Sequence, residues 1–75
     1  MDIEIGQRYK HYKGREYIIL NVGHDTETLE RVVVYQGQYK DPEFGDMPIW
    51  VRPYDMFVGE VNLNGKTVLR FVLKA

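Results

Sequence analysis

Three groups of side chains in this 75-residue sequence have the types and spacing that do chemistry. The first is the run His24-Asp25-Thr26-Glu27-Thr28, where an imidazole and two carboxylates stand within four residues. Nitrogen and oxygen donors of this kind suit a hard or borderline divalent metal, with His11 as a further ligand. The spacing matches no zinc pattern, and the run lacks the glycine and closing glutamate of a calcium loop. Asp and Thr also cap turns through side-chain to backbone hydrogen bonds. A capped turn, a ligand-binding loop and a metal site are therefore alternative readings, and no resident metal or cofactor is expected.

The second group is His11 between Lys10 and Lys13. On an extended strand Tyr9, His11 and Lys13 point to one face. Such a face can grip a phosphate or carboxylate, with the rings offering a flat surface to a base or sugar. The competing reading is a basic edge strand, whose lysines discourage edge-to-edge pairing. The third group is Trp50 with Arg52, two residues apart and so on one strand face, together with Tyr35 on a neighbouring strand. Aromatic and arginine side chains anchor binding sites because they bury much area and keep a polar handle. The alternatives are a satellite cluster under a long loop and a structural clamp between Arg52 and Glu27 or Asp55.

Catalytic chemistry finds little support. There is no cysteine, and the hydroxyl candidates Thr26, Thr28 and Thr67 have no neighbouring base. Lys13-Gly14 and Gly65-Lys66 are isolated turn pairs, not a glycine-rich phosphate cradle. A His24–Glu27 acid/base pair would sit on a small domain that excludes water poorly. The chain is read as not an enzyme.

The elements that must position these residues are strands. Arg8 to Tyr12 alternates and ends at the turn Lys13-Gly14, and Glu16 to Val22 is rich in β-formers. Arg31 to Tyr35 holds the run Val32-Val33-Val34, apolar on both faces. Gln36 to Pro48 is the longest irregular stretch, with two glycines and two prolines. Ile49 to Arg52 is a short strand stopped by Pro53, which suits the start of a helical turn through Phe57. Val61 to Leu63 and Thr67 to Leu73 flank Asn64-Gly65, the pair favoured in type I′ hairpins. Five or six short strands and one helical turn predict an all-β, SH3-like, strongly bent antiparallel barrel, a single domain over residues 1–75. The expected core is Ile18, Leu20, Val22, Val32, Val34, Ile49, Val51, Met56, Phe57, Leu69 and Phe71.

Composition bounds the setting. Apolar residues make up 44% and aromatics 13%, including six tyrosines, which lets so short a chain build a dense core without disulfides. No run approaches the about 18 apolar residues of a membrane span, and Met1 to Ile5 does not resemble a signal peptide. A cytoplasmic protein without a membrane partner is expected. The net charge of −1 disfavours nucleic acid as the ligand. That charge is unevenly spread: Gly23 to Met47 holds six acids and two bases, between two mildly basic segments.

Five blocks in order resemble a known family: Tyr9-Lys10-His11-Tyr12-Lys13-Gly14, Tyr17 with Ile19-Leu20, His24-Asp25-Thr26-Glu27-Thr28, Val33-Val34-Tyr35, and Trp50-Val51-Arg52-Pro53 with Met56-Phe57. They are similar to the small bacterial Domain of Unknown Function 1653, from about Gly6 to about Glu60. The resemblance implies a short cytoplasmic bacterial domain with an SH3-like barrel and no established activity. The sequence departs from the family pattern at Lys40 to Met47, which is longer and more acidic.

Together these features point to a binding module. Its expected face comprises His11, Lys13, His24, Glu27, Tyr35, Trp50 and Arg52, and recognises a small polar or anionic group on a nucleotide, peptide or modified side chain. Its partner is a small ligand or a protein, and the chain is a monomer or a weak homodimer. The alternatives are an RNA or single-stranded DNA module using the basic first strand, a metal-dependent hydrolase using His24 and Glu27, and a structural homodimer.

Overall fold

A computed structural model describes residues Asp2 to Lys74. The strands are β1 (Arg8–His11), β2 (Glu16–His24), β3 (Arg31–Gly37), β4 (Lys40–Asp41), β5 (Gly45–Asp46), β6 (Ile49–Pro53), β7 (Glu60–Leu63), β8 (Lys66–Leu69) and β9 (Phe71–Leu73), with one helical turn, α1 (Tyr54–Phe57), after β6. Five strands form one sheet in the order β6-β3-β2-β1-β9, every pair antiparallel. The hairpins β4–β5 and β7–β8 stand apart from it.

The all-β class, the antiparallel pairing and the single helical turn are as the sequence predicts. The expected barrel is not closed: β6 and β9 are the two ends of the sheet and do not pair with each other. Local chemistry explains the turns. Asn64 and Gly65 both adopt positive φ, 52° and 83°, and Asn62 Oδ1 accepts the Gly65 N–H at 3.1 Å. Pro53 (φ −53°) precedes α1, where its missing N–H costs nothing, and the Val58 N–H closes the turn on the Tyr54 carbonyl. The stretch from Gln36 to Pro48, expected to be irregular, instead folds into the β4–β5 hairpin. Its tip is capped by Asp41 Oδ1, which accepts the Glu43 and Phe44 N–H groups at 2.8 and 2.9 Å.

The core lies on the opposite face from the expected one. Its buried members are Ile3, Tyr9, Tyr17, Ile19, Val33, Tyr35, Tyr54, Phe57 and Phe71. Of the expected list only Phe57 and Phe71 are buried, and Val22 packs at the edge of the cluster. Ile49, Val51, Met56 and Leu69 are exposed, and Ile18, Leu20, Val32 and Val34 are half-buried on the outer face. Two physical causes account for the inversion. Tyrosine rings fill the interior, tiled edge to face: Tyr35 meets Tyr17, Phe57 and Phe71 at centroid distances of 5.1, 5.2 and 5.5 Å. Secondly, a bulge lies between Ile19 and Asn21, so Leu20 is an extra residue and the alternation of β2 changes phase there. Ile18 therefore faces out, whereas Val22 lies across from Val33 and faces in.

Each buried phenol carries its hydroxyl to a polar partner. Tyr9 donates to Gln7 Oε1 at 3.2 Å, Tyr17 and Tyr39 share a bond at 3.3 Å, and Tyr54 accepts the Ile3 N–H at 3.4 Å. An interior of tyrosines thus reaches the surface through a rim of hydroxyls.

Candidate functional site

Alternation along β3 and β6 decides which side chains meet. Trp50 lies across from Tyr35 and Arg52 across from Val33, so all four point to the inner face while Ile49 and Val51 point out. At the far side of the sheet His11 lies across from Phe71, also on the inner face. Phe71 is where the two groups converge. Phe57 stacks on it at 4.0 Å with an 8° interplanar angle, the His11 ring meets it at 4.9 Å and 78°, and the Arg52 guanidinium lies 5.6 Å from its centroid. His11, Tyr35 and Arg52, expected to belong to one face, are brought together around this ring.

Arg52 is fixed by one bond. Its Nε donates to the Tyr35 hydroxyl at 3.1 Å, which leaves its terminal nitrogens without a partner among the described residues. The expected clamp to Glu27 or Asp55 is not formed. The ion pairs among the described residues are Arg15–Asp41 at 3.9 Å and Lys74–Glu16 at 3.0 Å. The neighbouring cations are also without carboxylates: Arg70 donates its Nε to the Met56 carbonyl at 3.2 Å, and the Lys13 ammonium stands 5.8 Å from the Tyr12 ring.

His11 registers this charge. Burial, then the positive charges of Arg52, Arg70 and Lys13, hold its pKa below the ordinary histidine value. Its Nδ1 accepts the Lys13 N–H at 3.1 Å, so the neutral ring carries its proton on Nε2 and offers it as a donor. A neutral donor and an unpaired guanidinium on an aromatic floor suit an oxyanion, since each would gain a charge-assisted bond.

Trp50 is held by the β4–β5 hairpin. Its Nε1 donates to Tyr39 OH at 3.0 Å, and the Phe44 ring meets it at 5.2 Å and 76°. Tyr39 in turn carries the Arg15 guanidinium 4.2 Å above its ring, and Arg15 pairs with Asp41. Trp50 thus packs under the long segment, on the same face as Arg52 and against the edge of the core. Burial, then the bond to Tyr39, pushes the Tyr17 phenol above its ordinary pKa.

His24 and Glu27 lie elsewhere. They occupy the β2–β3 turn, at the opposite end of β2 from Tyr17 and His11, on the order of 20 Å away at the usual strand rise. Asp25 Oδ1 accepts the Glu27 and Thr28 N–H groups at 2.8 and 3.2 Å, and Thr28 Oγ1 accepts the Glu30 N–H at 3.2 Å. The run His24–Thr28 is a capped turn. Among the described residues no group of three or more His, Asp or Glu side chains could hold a metal ion.

Among the described residues, hollows border the sheet at two places of interest. The larger, about 550 Å³, is lined by Glu30, Arg31, Pro53, Tyr54, Asp55 and Met56. Its one cation, Arg31, sits 3.5 Å over the Tyr54 ring and is flanked by Glu30 and Asp55, so the hollow offers little net charge. The smaller, about 300 Å³, runs between β1, β9 and the β7–β8 hairpin, with Leu63, Val68, Leu69 and Val72 as walls and Lys10 and His11 at its polar side. His11 thereby belongs both to this apolar groove and to the cationic cluster. Sequence reasoning missed the groove walls. Their signal was the alternation after Asn64-Gly65, which places Val68 and Val72 beside the first strand only once the pairing of β9 with β1 is known.

Comparison with known proteins gives a family and no activity. A protein-family model described as "Protein of unknown function (DUF1653)" matches residues 7–73. A crystal structure of a DUF1653 protein from Bordetella bronchiseptica is similar at 31% sequence identity and a TM-score of 0.76, over 93% of this chain and 85% of that one. No curated protein matches the chain.

Proposed function

The chain belongs to the DUF1653 family, whose description assigns no activity, and from its own geometry we propose a non-enzymatic binding module whose inner face recognises an anionic group on a small ligand or peptide. The observation that carries this reading is Arg52: a guanidinium anchored by Tyr35 and lying on Phe71, whose terminal nitrogens have no hydrogen-bond or carboxylate partner among the described residues. A structural arginine in so small a protein would ordinarily be paired, because desolvating a cation without a counter-ion costs free energy. Arg52 supplies the fork for a carboxylate or phosphate, His11 a second donor through Nε2, and Lys13 and Arg70 long-range attraction. The groove walls Leu63, Val68 and Leu69 would cover an apolar part of the same ligand. Trp50 has a supporting role, and His24 and Glu27 have none in this face.

Binding without turnover fits the residues present. The Thr28 hydroxyl is engaged as an acceptor in its own turn, at the other end of β2 from His11. The test is a set of amide chemical-shift titrations of labelled protein with inorganic phosphate, nucleotides and short peptides bearing carboxylates. Shifts clustered at Lys10–Lys13, Tyr35, Arg52 and Arg70, lost in Arg52→Ala while the remaining spectrum persists, support the reading. Binding of these probes that Arg52→Ala leaves unchanged, or no shift at millimolar concentration, sinks it.

A further inference from the structure

The two ends of the sheet are unlike. β9 is three residues long and is bordered by Lys10, Arg70 and Lys74, the charged and short form of edge that resists pairing with another chain. β6 is five residues long, carries no lysine, and presents Ile49 and Val51 at 60% and 63% exposure. The ladder fixes which backbone groups are free. The Gly37 N–H bonds the Pro48 carbonyl, so Trp50 and Arg52 exchange hydrogen bonds with Tyr35 and Val33, whereas Ile49 and Val51 turn their N–H and C=O away from the sheet. Donor, acceptor and apolar side chain are all outward at the same two residues.

We propose that β6 is a self-association edge, where a second copy of this chain adds antiparallel to form a continuous ten-stranded sheet. The strand is self-complementary. A two-fold axis through Trp50 sets Ile49 of each copy against Val51 of the other, which uses the donor and the acceptor at all four residues. Moving the axis to Val51 would place Pro53, which has no N–H, opposite Ile49. On the outer face the pairing joins Ile49, Val51 and Val34 of both copies into one apolar strip, covering the side chains that the fold leaves exposed. Charge agrees with the antiparallel sense. Asp46, which has no ion-pair partner among the described residues, lies just before β6, and Arg52 lies near its end. Antiparallel addition brings Asp46 of each copy toward Arg52 of the other. The backbone ladder and the apolar strip do not rest on the anion-binding reading; only the charge match shares Arg52 with it.

The experiment is sedimentation equilibrium of the 8.9 kDa chain from about 20 µM to about 1 mM, a range that captures weak association. The expected result is a mass rising toward twice 8.9 kDa with concentration. Val51→Lys should raise the dimer dissociation constant at least about tenfold, and Val72→Lys on the β9 edge should leave it unchanged. Should Val51→Lys fail to fold, Val51→Pro serves instead, because it removes only an outward N–H and leaves the bonds to β3 in place. A chain monomeric throughout the range overturns the proposal. So does association that Val72→Lys abolishes and the Val51 variants leave intact.

Discussion

Ile19 and Ile49 offer a matched pair for testing which face of the sheet is the core. Both are isoleucines in strands, yet Ile19 is 1% exposed and Ile49 60% exposed. Truncation to alanine removes about three methylene equivalents, worth roughly 2.4 kcal/mol at about 0.8 kcal/mol each when fully buried. At Ile19 a cavity term adds to this, because the surrounding aromatic rings cannot collapse into the space; at about 24 cal/mol per Å³ a residual void of roughly 50 Å³ adds about 1 kcal/mol. Ile19→Ala should therefore cost about 3 to 4 kcal/mol. At Ile49 water fills the gap and only about two fifths of the transfer energy is at stake, so Ile49→Ala should cost about 1 kcal/mol or less.

These losses are large against the roughly 4 to 11 kcal/mol expected of a domain this size. Urea unfolding followed by Trp50 fluorescence at low micromolar protein reads them directly. With a slope near 1 kcal/mol/M, the midpoint should fall by about 3 M for Ile19→Ala and by about 1 M or less for Ile49→Ala, with the slope itself unchanged. Equal losses, or a larger loss at Ile49, would mean that the outer face is the core and that the convergence of His11 and Arg52 on Phe71 is wrong with it.

Other substitutions probe the site more locally. Gly37→Ala would place a Cβ 2.5 Å from Tyr39 Cε1 and 2.7 Å from Cζ, so the ring must shift and its bond to Trp50 Nε1 must break; a loss of about 1 to 3 kcal/mol and a red shift of Trp50 emission are expected. Tyr35→Phe keeps the ring contacts and removes the acceptor of Arg52 Nε, so thermal unfolding should show a loss of about 0.5 to 1.5 kcal/mol, with anion binding weakened as in Arg52→Ala. Gly65→Ala, at φ 83°, should cost about 1 kcal/mol through the β7–β8 turn alone, visible as a lowered melting temperature with inner-face chemical shifts unchanged. Because the folded state lowers the His11 pKa, the unfolded chain takes that proton first as pH falls; the stability contributed by neutral His11 is full above about 6.5 and is lost as pH drops through the folded value, as thermal melts across that range should show. A bound anion opposes the lowering, so its affinity should rise from about pH 7.5 to about pH 5.5, with the His11 ring protons titrating at higher pH in its presence; an affinity independent of pH excludes His11 from the contact.

The strands were legible because their signals are local. Asn64-Gly65 names its turn type, Pro53 marks where a ladder must stop, and the β-branched run Val32-Val33-Val34 reads as a central strand. The phase of those strands was not legible, for a reason visible in β3. Val33 and Tyr35 face one side and Val32 and Val34 the other, and hydrophobicity alone cannot rank valine with tyrosine against two valines. The choice turns on volume: an interior spanned by nine-residue β2 and capped by only four helical residues has few side chains to fill it, and rings fill more space per residue. The bulge at Leu20 compounds the difficulty, since period-two counting from Ile18 to Val22 crosses a point where the period fails.

The inversion bears on the candidate site as much as on the core. Had aliphatic residues filled the interior, Tyr35, Trp50 and Arg52 would stand on an outer surface with nothing behind them. With the rings inside, the face proposed for binding is the polar rim of the core itself: Tyr35 packs against Phe57 and Phe71 with its ring and holds Arg52 with its hydroxyl. A cation held by a buried core ring loses little conformational freedom on meeting an anion, which favours tight, geometry-selective recognition over diffuse attraction. The same arrangement changes the reason for attending to these residues. His11, Tyr35 and Arg52 drew notice as polar and aromatic groups beyond what the expected core required. In the structure Tyr35 is a core member and His11 packs against Phe71, whereas Arg52, its terminal nitrogens unpaired among the described residues, is the one the core does not require.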